Sequence, residues 1–249
     1  MGILEFGDTL KRKVILIHGF QMPYQIWNEY IDHYKDDFHV LVPVLPGHYP
    51  NHTKDFVSFS ETAKAFESWY ITRYGEDVFV VYAMSMGGVF AATLWQRGRL
   101  KIEKLILDGS PLVPVNRFVE KMMLNFYLNI THKTQKRDEK TLLQAKDIYP
   151  EGGFDDFLKV LDAMTDTTIQ NCVKGVANYQ LPNDLDTQNT SFYYFHGTKF
   201  NELIAKKSAK FISKHYKNSV IKCFKGKGHC ENMLFNPPLM LKELDSILI

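Results

Sequence analysis

The chain of 249 residues contains 45% hydrophobic, 14% aromatic and 23% charged residues, a composition typical of a globular protein with a sizeable core. This composition excludes an intrinsically disordered chain and a collagen-like repeat. Thirty Lys and Arg residues against 28 Asp and Glu residues give a net charge of +2, which is too balanced to predict binding to nucleic acid or to an acidic membrane.

Cysteine usage and the amino-terminal segment bear on the location of the protein. Cys172, Cys223 and Cys230 are an odd number without a C-x-x-C spacing, which favours a reducing compartment. The first ten residues lack a basic leader followed by an apolar stretch, so no secretory signal is predicted. The longest apolar run, residues 78–84, is far shorter than the about 18 residues of a membrane-spanning helix. We therefore expect a cytoplasmic protein without stable membrane association.

Short apolar runs alternate with helical patterns along the chain. This alternation predicts an α/β fold with a mostly parallel central sheet flanked by helices on both faces. In such sheets, ligands bind beyond the carboxyl ends of the strands. The predicted strands are residues 14–17, 40–42, 78–82, 105–107, 192–195 and 220–224, and the predicted helices are residues 61–74, 89–96, 206–215 and 239–249.

The alternation is interrupted over about eighty residues that have helical periodicity and no convincing buried strand. We predict that residues 1–110 and 191–249 form the core domain and that residues 111–190 form an inserted helical cap or lid. An apolar face on the first helix of this insert has two compatible interpretations: it packs on the sheet domain, or it forms the wall of a substrate pocket. The ridge at every fourth residue is Phe118, Met122, Phe126 and Ile130, and the adjoining ridge is Val119, Met123 and Tyr127.

A serine lies where the third predicted strand meets the next predicted helix. Ser85 has small residues two positions before and after it, Ala83 and Gly87. A sharp strand-to-helix turn needs small residues at these positions, because the neighbouring backbone passes very close. Such a turn raises the serine hydroxyl above the sheet, near the positive end of the helix dipole, which suits a nucleophile.

The chain resembles the α/β-hydrolase fold superfamily, and in particular its serine esterases and lipases, over essentially its whole length. Three motifs carry this resemblance, and they follow one another along the chain in the order that the superfamily has. The serine motif reads A-x-S-x-G, where the superfamily more often has glycine first. His18-Gly19-Phe20 resembles the loop that supplies an oxyanion-hole amide, so the resemblance implies that the backbone N–H groups of Phe20 and Met86 form that hole. Gly226-Lys227-Gly228-His229 resembles the loop of the catalytic histidine, which makes His229 the expected general base.

The acid that would complete a triad is ambiguous. The superfamily usually has an acid three residues beyond the glycine that follows the next-to-last strand, but Phe200 stands there. Glu202 lies two positions further along the same loop. Asp108 follows the strand after the serine motif, and some relatives, haloalkane dehalogenases among them, carry their acid on that strand. Either residue preserves the order serine, acid, histidine, so both Glu202 and Asp108 remain candidates.

The sequence predicts neither a metal nor a cofactor. His48 and His52 have a spacing that would place two ligands on one helix face, but the surrounding prolines and glycine predict a loop there. The chain has no phosphate-binding glycine loop and no other spacing typical of metal ligands.

The expected function is hydrolysis of a small or medium hydrophobic carboxylic ester through an acyl-enzyme, as in carboxylesterases and lipase-like enzymes of class EC 3.1.1. A serine in place of a carboxylate argues against dehalogenase and epoxide-hydrolase chemistry. Lactone, thioester or carbon–carbon bond hydrolysis on the same groups is the alternative, and a non-catalytic ligand-binding module is another. No basic amphipathic stretch with an interfacial Trp supports a membrane-surface lipase. The expected partner is a small acyl compound, and the sequence makes no prediction of oligomeric state.

Overall fold

A twisted, mostly parallel sheet organises the molecule. The computed structural model describes residues 1–49, 54–146, 152–185 and 187–248. Within these ranges seven strands pair in the order β1-β3-β2-β4-β5-β6-β7, and every neighbouring pair is parallel except β1 with β3. The predicted fold class is confirmed. The strands are β1 (Gly2–Phe6), β2 (Lys13–Ile17), β3 (His39–Val44), β4 (Asp77–Met84), β5 (Lys101–Asp108), β6 (Ser191–Gly197) and β7 (Val220–Phe224).

Helices cover both faces of this sheet. They are α1 (Asn28–Tyr34), α2 (Phe59–Tyr74), α3 (Met86–Arg97), α4 (Arg117–Gln135), α5 (Glu139–Lys146), α6 (Phe154–Ala163), α7 (Asp166–Ala177), α8 (Leu203–His215), α9 (Glu231–Phe235) and α10 (Pro237–Leu248), with short 3₁₀ turns at Tyr24–Trp27 and Phe200–Glu202. Buried side chains of α2, α3 and α8 share a core with one face of the sheet, and those of α1, α9 and α10 share a core with the other.

The two cores explain why the strands appear as continuous apolar runs in the sequence. Along β2, Val14 and Leu16 enter one core and Ile15 and Ile17 enter the other. Successive side chains of a strand point to opposite faces, so a strand buried on both faces must be apolar at every position.

The inserted segment contains helices α4 to α7, and none of its described residues belongs to a strand. The inner ridge of α4, including Met123 and Tyr127, packs on Val160 and Met164 at the end of α6 and on α7. Because Cys172 of α7 lies in one of the two sheet cores, the segment is joined to the sheet through that helix. The division into a core domain and a separate cap stays a prediction.

The outer ridge of α4 differs from the prediction. Phe118, Met122 and Phe126 are 74%, 57% and 58% exposed, so they neither pack on the sheet domain nor close a pocket. The expectation that the apolar face of α4 packs on the sheet domain or walls a pocket is therefore wrong for these three residues, although Met123 and Tyr127 of the adjoining ridge are packed. A spacing of four residues identifies an apolar ridge, but two adjacent ridges lie only about 100° apart around a helix, and the contacts of the partner helices decide which one is buried.

Candidate active site

Ser85 occupies a strained turn between β4 and α3. Its backbone angles are φ 50° and ψ −122°, which a residue with a side chain rarely adopts. The Ser85 amide donates to the carbonyl oxygen of Asp108 at 2.7 Å, and this bond ties the turn to the end of β5. Strain of this kind persists only where the surrounding structure enforces it, and it is concentrated at functional sites.

Ala83 and Gly87 leave the space that a sharp strand-to-helix turn at Ser85 requires. Ala83 is fully buried in the sheet. A Cβ on Gly87 would lie 2.3 Å from the carbonyl oxygen of His18, and backbone there cannot move aside as a flexible side chain can. Only glycine therefore allows α3 to begin this close to the end of β2.

His229 lies in the loop between β7 and α9 and contacts the serine directly. Its Nε2 is 2.8 Å from Ser85 Oγ, and its Nδ1 is 2.6 Å from Glu202 Oε1. Gly109 makes room for the imidazole, because a Cβ at that position would approach two ring atoms to 2.8 and 2.9 Å. The structure thus brings Ser85, His229 and Glu202 into one chain of hydrogen bonds.

Glu202 reaches the histidine because the loop after β6 closes with a 3₁₀ turn at Phe200–Glu202. The carboxylate is fully buried, and its second oxygen accepts a hydrogen bond from the Gly197 amide at 2.8 Å. Each oxygen of Glu202 therefore accepts a hydrogen bond from a described donor, His229 Nδ1 or the Gly197 amide. Phe200, at the position where the superfamily usually has an acid, is 85% exposed.

Asp108 is buried near the same site, but its carboxylate has a different partner. Oδ2 accepts a hydrogen bond from the Tyr82 hydroxyl at 3.3 Å, and among the described residues no hydrogen bond joins this carboxylate to His229. Burial is the main cause that raises the pKa of Asp108 to about 7, although the nearby His229 and the Tyr82 bond lower it. The direct hydrogen bond between Asp108 and the nucleophile turn, from the Ser85 amide, is accepted by the Asp108 backbone carbonyl.

The loop after β2 lies beside the serine, with His18 at its base. The His18 ring accepts from the Leu45 amide at Nε2, at 3.0 Å, and lies 2.8 Å from the Gly19 carbonyl at Nδ1, where it donates. Burial lowers the pKa of His18 to about 4, so the ring is neutral at pH 7 and holds the loop through both backbone bonds. Met86, the other residue expected to supply an amide, begins α3, where the first amides of a helix have no intrahelical acceptor.

The same loop contacts the inserted segment. Phe20 packs edge to face on Tyr127 of α4 at a ring distance of 4.8 Å. Gln21 has φ 59°, is buried, and donates from Nε2 to the Thr131 hydroxyl at 2.7 Å. Gln21 is not among the residues that the sequence predicts for the site, because nothing in the sequence distinguishes a buried amide from an exposed one.

Of the two histidines with a metal-ligand spacing, His48 and His52, the structure describes only His48. His48 is buried beside His18 and Phe20, and His52 lies outside the described residues. In the part of the chain that the structure describes, no group of three His, Cys, Asp or Glu side chains could hold a metal ion. That the protein uses no metal and no cofactor stays a prediction.

Residues 14–236 match the model of the alpha/beta hydrolase family, so the chain belongs to that family and the resemblance is confirmed. The fold is similar to that of an alpha/beta hydrolase family protein from Desulfitobacterium hafniense, at 21% identity and a TM-score of 0.78 over 100% of both chains. It is also similar to a carboxylesterase from Nitrososphaera gargenis (13% identity, TM-score 0.77, 99% of this chain and 93% of that one) and to a thermophilic esterase from Thermogutta terrifontis (15%, 0.75, 99% and 92%). Comparison with curated proteins gives no match.

One structural feature bears on the membrane. Within the described ranges, none of the helices combines the length and the apolar character that crossing a bilayer requires.

Proposed function

We propose that the protein is a serine hydrolase that cleaves small or medium hydrophobic carboxylic esters through an acyl-enzyme. The observation that carries this proposal is the chain of hydrogen bonds from the Ser85 hydroxyl through His229 to the buried Glu202 carboxylate, at 2.8 and 2.6 Å. Family membership and the esterases among the similar structures support it.

In the first half of the reaction, His229 Nε2 takes the Ser85 proton as Oγ attacks the ester carbonyl carbon. The amides of Phe20 and Met86 donate to the oxyanion that forms, and each donor of this kind contributes about 3–4 kcal/mol to transition-state stabilisation. The tetrahedral intermediate then collapses. The carbon–oxygen bond to the alcohol breaks, and the leaving oxygen takes the proton from His229.

In the second half, water attacks the acyl carbon of the Ser85 ester while His229 Nε2 accepts a proton from it. Collapse releases the carboxylic acid, and the proton returns to Ser85 Oγ. Throughout, the Glu202 carboxylate accepts a hydrogen bond from the Nδ1–H of His229, which sets the tautomer and stabilises the imidazolium. The Gly197 amide holds the second oxygen of Glu202 and so orients the carboxylate for this role.

The surroundings of the loop favour an apolar acyl group. Phe20 and Tyr127 present aromatic surface beside the expected oxyanion hole, and Met123 and Leu124 continue the apolar contact along α4. Hydrophobic contact of this kind selects a substrate by shape and apolar area rather than by charge.

We also propose a cytoplasmic location. The three cysteines are free, which agrees with the reducing conditions of the cytoplasm.

A panel of p-nitrophenyl esters from acetate to laurate tests this proposal. We expect kcat/KM to rise by roughly tenfold from acetate to butyrate, because each buried methylene contributes about 0.8 kcal/mol. It should fall again at laurate, where the chain exceeds the apolar contact. Lactones and thioesters in the same panel test the alternatives on the same groups. If none of these compounds is hydrolysed, the proposal is wrong and a ligand-binding module is favoured.

A further inference from the structure

Helix α4 has an outward face that the fold does not use. Nine of its residues are exposed, and not one of the nine carries a carboxylate. Three of them, Phe118, Met122 and Phe126, are large apolar side chains at four-residue spacing, so they are neighbours on one stripe. The full set is Arg117, Phe118, Lys121, Met122, Asn125, Phe126, Asn129, His132 and Lys133.

The lysines and the arginine on this face form no ion pair with a described residue, although Lys133 interacts electrostatically with Asp138. Fourteen ion pairs were found among the described residues, and neither Arg117, Lys121 nor Lys133 takes part in one. Among the residues that the structure describes, the single ion pair on the exposed face of α4 joins His132 to Asp166 at 2.7 Å. The face is therefore apolar and cationic together, which distinguishes it from the balanced charge of the whole chain.

We propose that this α4 face docks reversibly on an anionic lipid surface. A helix of 19 residues is about 28 Å long and can lie flat on such a surface. Phe118, Met122 and Phe126 would enter the boundary between headgroups and acyl chains, while Arg117, Lys121 and Lys133 would contact anionic headgroups. The sequence did not support this partner, because the outward orientation of the Phe and Met ridge is visible only in the structure.

Helix α4 would lie between the lipid surface and one edge of the candidate site. The inner side of the same helix contacts Phe20 and Gln21 through Tyr127 and Thr131. Docking on the outer side therefore brings the loop of Phe20 and Gln21, at the edge of the candidate site, within about one helix diameter, roughly 10 Å, of the lipid surface.

Co-sedimentation with vesicles tests the proposal. All proteins in this experiment carry Ser85→Ala, so binding is measured without any dependence on hydrolysis. We expect binding to vesicles of phosphatidylglycerol and phosphatidylcholine to weaken at least about tenfold when Phe118, Met122 and Phe126 are replaced by serine. Lys121→Ala should weaken it about fivefold. Leu10→Ser is the matched control, since Leu10 is 90% exposed but lies before the amino end of β2, and it should leave binding unchanged.

Three results would overturn the proposal. One is equal vesicle binding by the triple serine variant and the parent. Another is equal binding to pure phosphatidylcholine vesicles without any effect of Lys121→Ala. The third is a dimer in light scattering that the triple variant loses, which would assign the face to a second copy of the chain. Equal thermal unfolding midpoints of parent and triple variant ensure that weakened binding is not misfolding.

Discussion

Replacing Ser85 with alanine is expected to lower kcat for p-nitrophenyl butyrate hydrolysis by about 10⁶-fold, the size of loss that follows removal of a catalytic serine. The reason is that no covalent ester can form when Oγ is missing, although the oxyanion-hole amides and the binding surface remain. Steady-state kinetics of the purified variant measure this loss. The substitution removes only a hydroxyl group from a half-buried position, so the fold should be retained.

Ser213→Ala is the matched control for that experiment. Ser213 lies exposed on α8, so its substitution removes the same hydroxyl group at a position away from the site. It should keep wild-type kcat and KM. Hydrolysis that survives Ser85→Ala at a comparable rate would mean that another group attacks the ester, and the assignment of the nucleophile would be wrong.

The second large effect distinguishes the two candidate acids. Glu202→Gln is expected to lower kcat by up to about 10⁴-fold, because an amide opposite His229 Nδ1 favours the wrong tautomer and leaves the imidazolium without a counter-charge. Asp108→Asn is the matched change at the other buried carboxylate. It should retain most of the activity, since the Asp108 carboxylate bonds to Tyr82 and an asparagine oxygen can still accept from that hydroxyl.

Both variants should be compared at equal folded fraction, which circular dichroism on heating provides. A large loss in Asp108→Asn together with a small loss in Glu202→Gln would assign the acid to β5 instead of the loop after β6. Equal small losses in both would contradict a triad that includes either carboxylate.

The sequence indicates the serine and histidine positions well because their signals are local. The strand, the small residues around Ser85 and the glycines before His229 all lie within a few positions of the groups concerned. The choice of acid is different, since it depends on the path of a loop. The 3₁₀ turn at Phe200–Glu202 is what carries the carboxylate to His229, and the sequence has no marker that this turn closes there.

The same limit applies to α4. Its two apolar ridges are equally visible in the sequence, but Val160 and Met164 at the end of α6, together with α7, decide that Met123 and Tyr127 face inward and that Phe118 and Met122 face out. The edge strand β1 was not predicted for a related reason: it is half-buried and antiparallel, so it lacks the continuous apolar run of the central strands. Tertiary contacts, which no short window contains, determine all three features.

Trapping the acyl-enzyme tests the central proposal most directly. Acid quenching during turnover of a slowly deacylating p-nitrophenyl ester, followed by trypsin and mass spectrometry, should show the acyl group on the peptide of residues 74–97. That peptide has Ser85 as its single serine and contains no cysteine. We predict an added acyl mass at Ser85 that is absent from heat-denatured protein. An acyl group on another residue, Cys230 for example, or turnover without any trapped acyl group, would contradict the proposal.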